Sequence, residues 1–454
     1  MCRNSGGVIL KRNNRAKWAK VSVLFTLILA LVTLPYQQAD ANTVNIDASA
    51  AIMINGDTGQ ILYEDNIDEQ LAIASMTKMM TEYLLFEAIE EGQIAWDDTV
   101  AIEDHLYPLS HQSGLSNVPL RSDYDYTVEE LYESMAIYSA NASTMALAAH
   151  IAGSETAFVE QMNEKAGELG LDQYDFVNSS GLNNSSLDGF HPEGTPADAE
   201  TTMSARSVAQ LAYHLLNDYP EVLETASVPF AEFQAGPDET VNMPNWNQML
   251  PGMSHEYEGA DGLKTGTTDA AGNSFTGTAL QDGTRLITVV MNAGNPQVRT
   301  ERFDETEKLF DHGFDNFEEI TVVEEGQEPE DNMISVNGGK ETEVPVVTSE
   351  NLKISTPQNA EQGYSLEVAI DEDRMNEDGE LVAPITAGER VGTLKVNFDD
   401  PTEYIQGTQS SGVALVATED IEEAGWFTMS MRGIGSFFSG MWTSITDTVT
   451  GWFN

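Results

Sequence analysis

Cysteine is almost missing from this 454-residue chain: Cys2 is the only one. Everything after it therefore lacks both a disulfide framework and a thiol nucleophile. Basic residues are scarce as well, with 21 Lys+Arg against 74 Asp+Glu and a formal charge of −53. A surface so acidic repels phosphate, which excludes nucleic acid as a partner. A solvated carboxylate shell stays soluble where salt screens its self-repulsion. That suits a surface-exposed protein of a salt-tolerant or alkali-tolerant organism. Long apolar runs are rare too. Val21 to Pro35 is about 15 residues, short of the ~20 needed to span a bilayer.

That run has a basic region ahead of it (Arg3, Lys11, Arg12, Arg15, Lys17, Lys20) and Ala39-Asp40-Ala41 behind it. Charged region, short apolar region and small-x-small site together predict a secretory signal over residues 1–41. An uncleaved anchor is the alternative. Cys2 precedes the apolar run and is not a lipobox cysteine. Removal of the segment takes Cys2 with it and leaves 15 basic against 73 acidic residues, a net charge of −58.

What is present centres on Ala74-Ser75-Met76-Thr77-Lys78-Met79-Met80. A helix is predicted over Leu71–Glu91, stopped by Gly92. Residues three apart share a helix face, with β-carbons roughly 5–6 Å apart. Ser75 and Lys78 can then share a proton, and a serine hydroxyl becomes a good nucleophile only when an adjacent base takes that proton. Lysine serves as that base if burial and a second cation pull its pKa well below about 10.4. Met76, Met79, Met80 and Leu84 supply apolar surroundings. Near a helix N-terminus, backbone N–H groups also favour developing negative charge. S-x-x-K occurs once in the chain, yet by itself it is a weak signal on an amphipathic helix.

Two further motifs follow. Ser139-Ala140-Asn141 falls within a second predicted helix, Val128–Ile151, ending at Gly153. A capping or turn role is the competing explanation, and Ser335-Val336-Asn337 repeats the pattern in a different setting. Asp261-Gly-Leu-Lys264-Thr265-Gly266-Thr267 precedes the alternating stretches 275–280 and 286–292, so Lys264 is predicted on a strand. Gly266 would allow close backbone approach. Lys264 there is the second cation, and Thr265 can offer a hydroxyl to a carboxylate. Residues 50–64 read as a hairpin around Asn55-Gly56-Asp57-Thr58-Gly59. Residues 176–195 read as a long loop of the kind that borders sites, and Met203–Leu216 as a helix.

The order S-x-x-K, S-x-N, K-T-G resembles the signature of penicillin-binding proteins and class A β-lactamases. Together with Ala149-His-Ile-Ala-Gly-Ser154, Met203-Ser-Ala-Arg206 and Phe310-Asp-His-Gly-Phe-Asp-Asn-Phe317, it makes the chain similar to the low-molecular-mass penicillin-binding proteins, serine-type D-Ala-D-Ala carboxypeptidases. The resemblance implies an α+β fold: a penicillin-binding/β-lactamase-like transpeptidase domain, its antiparallel sheet flanked by helices, over residues 42–317. It implies that Ser75 attacks the carbonyl between the terminal D-alanines of a peptidoglycan stem peptide and that Lys78 accepts its proton. Ser139 would relay a proton to the leaving D-alanine and Asn141 would orient Lys78 or the substrate amide. Lys264 and Thr265 would hold the terminal carboxylate beside Gly266, and the N–H groups of Ser75 and Thr267 would form the oxyanion hole. Many relatives carry histidine where this chain has Thr267, which keeps only the backbone donor. β-Lactam antibiotics are expected as covalent ligands; no metal or cofactor is expected. A β-lactamase of the same fold and a non-catalytic surface scaffold are the alternatives.

Beyond Ile320 helical periodicity stops. Residues 342–347, 352–355, 365–370 and 391–396 read as strands of a small all-β domain, 318–420, a stalk without catalytic motifs. Residues 424–454 then carry Ile434, Phe437, Phe438, Met441, Trp442, Ile445, Val449 and Trp452 on one helical stripe. This C-terminal amphipathic helix is expected to attach the secreted protein peripherally to the outer face of the cytoplasmic membrane; docking on the protein's own surface is the alternative.

Overall fold

A computed structural model describes residues 44–358, 363–398, 403–405 and 412–425. The expected signal segment lies outside the described residues, as does the expected amphipathic helix apart from residues 424–425. Among the described residues, no helix is long and apolar enough to cross a membrane.

The first half is built on five antiparallel strands: β1 (Ala50–Asn55), β2 (Ile61–Asp65), β3 (Ala260–Thr268), β4 (Gly272–Gln281) and β5 (Thr284–Met291), in the order β3-β4-β5-β1-β2. The strand β1, Ala-Ala-Ile-Met-Ile-Asn, is buried throughout because both faces of the sheet are covered. Its period-two alternation divides it between two cores. Ala50, Ile52 and Ile54 join the large helical core, while Ala51 and Met53 join a second core with Phe275, Leu309 and Phe310. The longer helices are α1 (Lys78–Glu90), α2 (Val128–Tyr138), α3 (Asn141–Ala152), α4 (Glu155–Glu168), α5 (Ala205–Asp218) and α6 (Glu301–Asn316). α5 and α6 pack against β5. Strand β3 is an edge of the sheet, and the turn that carries Ser75 packs on its face at Gly266 and reaches β4 through Thr276 and Met76.

Two predicted helices are corrected. Leu71–Glu91 is not continuous: residues 70–72 form a strand paired with 202–204, Ala74 takes φ 48°, residues 74–77 make a 3₁₀ turn, and α1 begins only at Lys78. Pairing with the strand holds the backbone extended up to the turn. Gly92, at φ 68°, does end this helix. Val128–Ile151 is likewise two helices. α2 starts with a Thr127/Glu130 capping box and stops at Ser139, which is left-handed at φ 60°; α3 restarts at Asn141. The predicted start at Met203 also moves, because 202–204 is strand and Ser204 caps α5.

Past α6 the chain forms a six-stranded sheet and a two-stranded one around a separate apolar core from Val322 to Ile421. Strands 343–348, 352–357, 364–370 and 390–398 lie where alternation predicts them. Strands 317–323, 333–337 and 412–417 were not anticipated. Ser335-Val336-Asn337 lies on one of these, far in sequence from the cleft. The module meets the first sheet through buried amides. Asn55 Nδ2 donates to Ser355 Oγ (2.9 Å), and Gln60 donates to the Ser355 carbonyl (2.7 Å) and accepts from its N–H (2.9 Å). Backbone bonds from Ile61 N to Glu403 O (2.8 Å) and Ile405 N to Gly59 O (3.0 Å) extend the contact.

Candidate active site

Three segments far apart in the chain converge on one cleft of ≈ 280 Å³, lined by Ser75, Ser139, Asn141, Thr265 and Thr267 among others. The 3₁₀ turn presents Ser75, partly exposed, while the start of α1 buries Lys78 completely. Met76, Met79 and Met80 around it are fully buried. The Lys78 amine has three neighbours: Ser75 Oγ at 3.1 Å, Asn141 Oδ1 at 2.8 Å and the Ser180 carbonyl at 2.6 Å. A neutral amine has two N–H donors and one lone pair. The two carbonyl-type oxygens take the donors, which leaves the lone pair for the Ser75 hydroxyl. Asn141 is held in that orientation because its Nδ2 donates to the Ser116 carbonyl at 2.9 Å.

The electrostatics favour the neutral form. Burial pulls the Lys78 amine well below its ordinary value, the Lys264 charge pulls it further, and Glu82 opposes both. Lys264, 3% exposed on β3, donates to Ser139 Oγ at 3.0 Å. Burial lowers it to about 8, with Glu82 holding it up and Arg302 pushing it down. The ion-paired lysines among the described residues are Lys165, Lys308, Lys340 and Lys353. Neither cleft lysine has such a partner, so both remain free to exchange protons and to meet an anionic ligand.

Close approach of strand and turn depends on glycine. A Cβ on Gly266 would overlap the Ile73 carbonyl oxygen, and one on Gly181, at φ 77°, would overlap that of Ala74. The left-handed turn at Ser139 places its hydroxyl toward Lys264 while the following residue opens α3.

The structure thus brings Ser75, Lys78, Ser139, Asn141, Lys264, Thr265, Gly266 and Thr267 to one place. Sequence reasoning named none of three contributors as site residues. The first is the turn 178–181, which lies in the loop 176–195 expected to border a site. Asn178 Oδ1 accepts from Ser180 N (3.1 Å) and Gly181 N (2.6 Å), and Glu155 accepts from Ser179 N and Oγ. This fixes the carbonyl that holds Lys78; Asn-Ser-Ser-Gly is a turn signal, but its target is invisible in sequence. The second is Arg302, 3% exposed, which donates to the Gly266 and Ser274 carbonyls (3.0 and 2.9 Å) and to Thr267 Oγ1 (2.7 Å). Thr267 therefore uses its side chain to anchor the end of β3. Burial and Arg299 bring the Arg302 guanidinium down to about 10. The third is Trp246 on the cleft wall, its indole N–H donating to the Tyr138 carbonyl at 3.0 Å.

Comparison with known proteins agrees with this geometry. The D-alanyl-D-alanine carboxypeptidase family matches residues 36–295, and the penicillin-binding protein 5 C-terminal domain matches 317–423. The chain is 31% identical over 391 residues to the D-alanyl-D-alanine carboxypeptidase DacF of Bacillus subtilis, covering 86% of this chain and 90% of that one. It is 30% identical to DacC of Escherichia coli, covering 84% and 86%. Among solved structures, a peptidoglycan synthesis regulatory factor (PBP3) of Streptococcus pneumoniae superposes with a TM-score of 0.74 at 37% identity, covering 84% of this chain and all of that one. Penicillin binding protein 5 of Haemophilus influenzae gives 0.66 at 27% identity, covering 84% and 99%. With both domains matched in order and the relatives covered almost end to end, the chain belongs to the D-alanyl-D-alanine carboxypeptidase family and is a hydrolase of that kind.

Proposed function

We propose that Ser75 is the nucleophile that releases the terminal D-alanine from a peptidoglycan stem peptide through an acyl-enzyme. The observation that carries this is the fully buried Lys78 amine 3.1 Å from Ser75 Oγ, its two donors already engaged. The neutral amine takes the hydroxyl proton as Oγ bonds to the carbonyl carbon. The oxyanion is received by the N–H groups of Ser75 and Thr267, the largest single contribution in such reactions. As the C–N bond breaks, the leaving amine receives a proton through Ser139, which Lys264 holds. Water then cleaves the Ser75 ester. Lys264 and Thr265 take the substrate's terminal carboxylate by charge-assisted hydrogen bonds. Fluorescent penicillin tests this reading, since the same serine would open the β-lactam ring. Labelling that persists and competes with D-Ala-D-Ala peptides is expected. Rapid loss of label would favour a β-lactamase, and no labelling would favour a scaffold.

The anionic surface has a kinetic consequence. The substrate ends in a carboxylate, and the chain carries −58 once residues 1–41 are gone. Repulsion should slow encounter at low salt, and screening should relieve it as the Debye length falls toward ~3 Å at 1 M. kcat/KM is expected to rise with added salt. A monotonic fall would mean that local attraction by Lys264 outweighs the surface.

The same reading places the enzyme outside the cell, secreted by residues 1–41 and attached to the outer face of the membrane by residues 424–454. The apolar stripe of Phe437, Phe438, Trp442 and Trp452 supports it. The polar face is not basic, so attachment would be hydrophobic and insensitive to salt. Deletion of residues 424–454 is expected to release the protein from membranes, with activity on a soluble peptide unchanged. A truncated protein that stays with the membrane would move the anchor to residues 21–35.

A further inference from the structure

We propose that Glu82 is a positioning residue for the reaction, its buried carboxyl group setting how protons are distributed between Lys78 and Lys264. Glu82 follows Lys78 by four residues on α1, so the two share a helix face, with Glu82 one turn further from the cleft. It is 3% exposed in a chain whose acidic residues otherwise mostly face water. It makes no ion pair with either lysine. Glu82 therefore acts through space within the buried interior, where charges are less screened than in water. A direct ion pair would instead hold Lys78 as ammonium and remove the base.

The groups that face this carboxyl come from three elements. Lys264 on β3 acts on it most strongly, and Lys78 on its own helix comes next. From α2, Tyr132 presents a buried hydroxyl, kept neutral by burial and by the nearby Glu82, Glu221 and Glu133 charges, with Thr225 opposing them. Arg302 stands behind Lys264. Two lysine amines and one carboxyl are thus buried together. Burial raises Glu82 to about 7 against the pull of both lysines, so its charge changes near neutral pH.

The sign of the effect is fixed. A carboxylate favours the protonated form of each lysine. Removing it lowers the pKa of both Lys78, as base, and Lys264, as carboxylate holder. The acid limb of the kcat/KM profile follows Lys78 and the alkaline limb follows Lys264, so both limbs should move to lower pH. This inference rests on the assignment of Lys78 as base.

The test is the pH profile of kcat/KM for D-alanine release by the full chain, wild type beside Glu82→Gln, Glu82→Asp and Lys264→Gln. Glu82→Gln is expected to shift the alkaline limb down by about one pH unit, within the range for loss of one neighbouring charge. The acid limb should move in the same direction, and Glu82→Asp, which keeps the charge, should stay near wild type. A uniform drop in rate with unmoved limbs, or limbs moved upward, would overturn the proposal. If Lys264→Gln moves the acid limb and Glu82→Gln moves neither, Glu82 has no such role while Lys78 remains the base; if neither variant moves a limb, both assignments fall. Should Glu82→Gln fail to fold, NMR of ¹³Cδ-labelled glutamate decides. One carboxyl titrating near neutrality, moved further up by Lys264→Gln, supports the proposal, and its absence refutes it.

Discussion

Ser75→Ala is expected to abolish covalent labelling by fluorescent penicillin and to reduce D-alanine release by on the order of 10⁴-fold or more, as loss of a nucleophile does in other serine hydrolases. The loss should be chemical rather than structural. Ser75 is only partly buried, sits on a 3₁₀ turn and makes one side-chain hydrogen bond, to Lys78. Removing such a hydroxyl should change stability by about 0.5 kcal/mol or less. The thermal unfolding midpoint should therefore stay within a few degrees of wild type. Label recovered from another serine, Ser139 included, would reject the assignment.

Lys264→Gln should do two separable things. It removes a charged partner for the substrate carboxylate, worth about 1.5–3 kcal/mol, so KM should rise roughly 10- to 100-fold. It also removes the like charge that depresses Lys78. The Lys78 pKa then rises, less neutral amine is present at a given pH, and the acid limb of the profile moves to higher pH. The direction is opposite to that expected of Glu82→Gln. An acid limb that stays in place while KM rises would leave Lys264 a binding residue with no electrical hold on the base.

The chemistry was more legible in the sequence than the backbone that delivers it. Ser75 and Lys78 are three residues apart, and that spacing works as well across a 3₁₀ turn leading into α1 as within one helix. Lys264 was correctly placed on a strand because alternation in β4 and β5 frames it. The break at Ser139 was hidden. Nothing in Ser-Ala-Asn demands a left-handed residue, and apolar periodicity runs through it from Val128 to Ile151. The conformation is held from outside, by Lys264 on Ser139 and by Lys78 and Ser116 on Asn141, contacts that exist only after folding. Glu82 and Arg302 were missed for a related reason. Each reads as an ordinary charged position on an amphipathic helix, and only packing reveals that its face is interior. The strand at 333–337, Met-Ile-Ser-Val-Asn, is short and partly polar, and local pattern alone does not distinguish it from a loop; 412–417, Gly-Val-Ala-Leu-Val-Ala, is apolar throughout but too short and too rich in small residues to separate strand from other buried backbone.

The junction at Ser355 and residues 403–405 bears on self-association. An open sheet has two unpaired margins, and each is a template on which another extended chain can add. Here one margin is β3, whose Thr265 and Thr267 line the cleft, so a chain that adds there meets the cleft. At the opposite margin, the start of β2 is occupied by the bonds to Glu403 and Ile405, and the same strand ends in Glu64 and Asp65. The β-rich module is thus a stopper for the sheet. A catalytic half cut free at the junction would strand the fully buried Asn55 amide and the 7%-exposed Gln60 amide without Ser355. It would also offer a bare strand margin to its neighbours, which makes the two halves one unit for solubility even though only one of them holds the cleft.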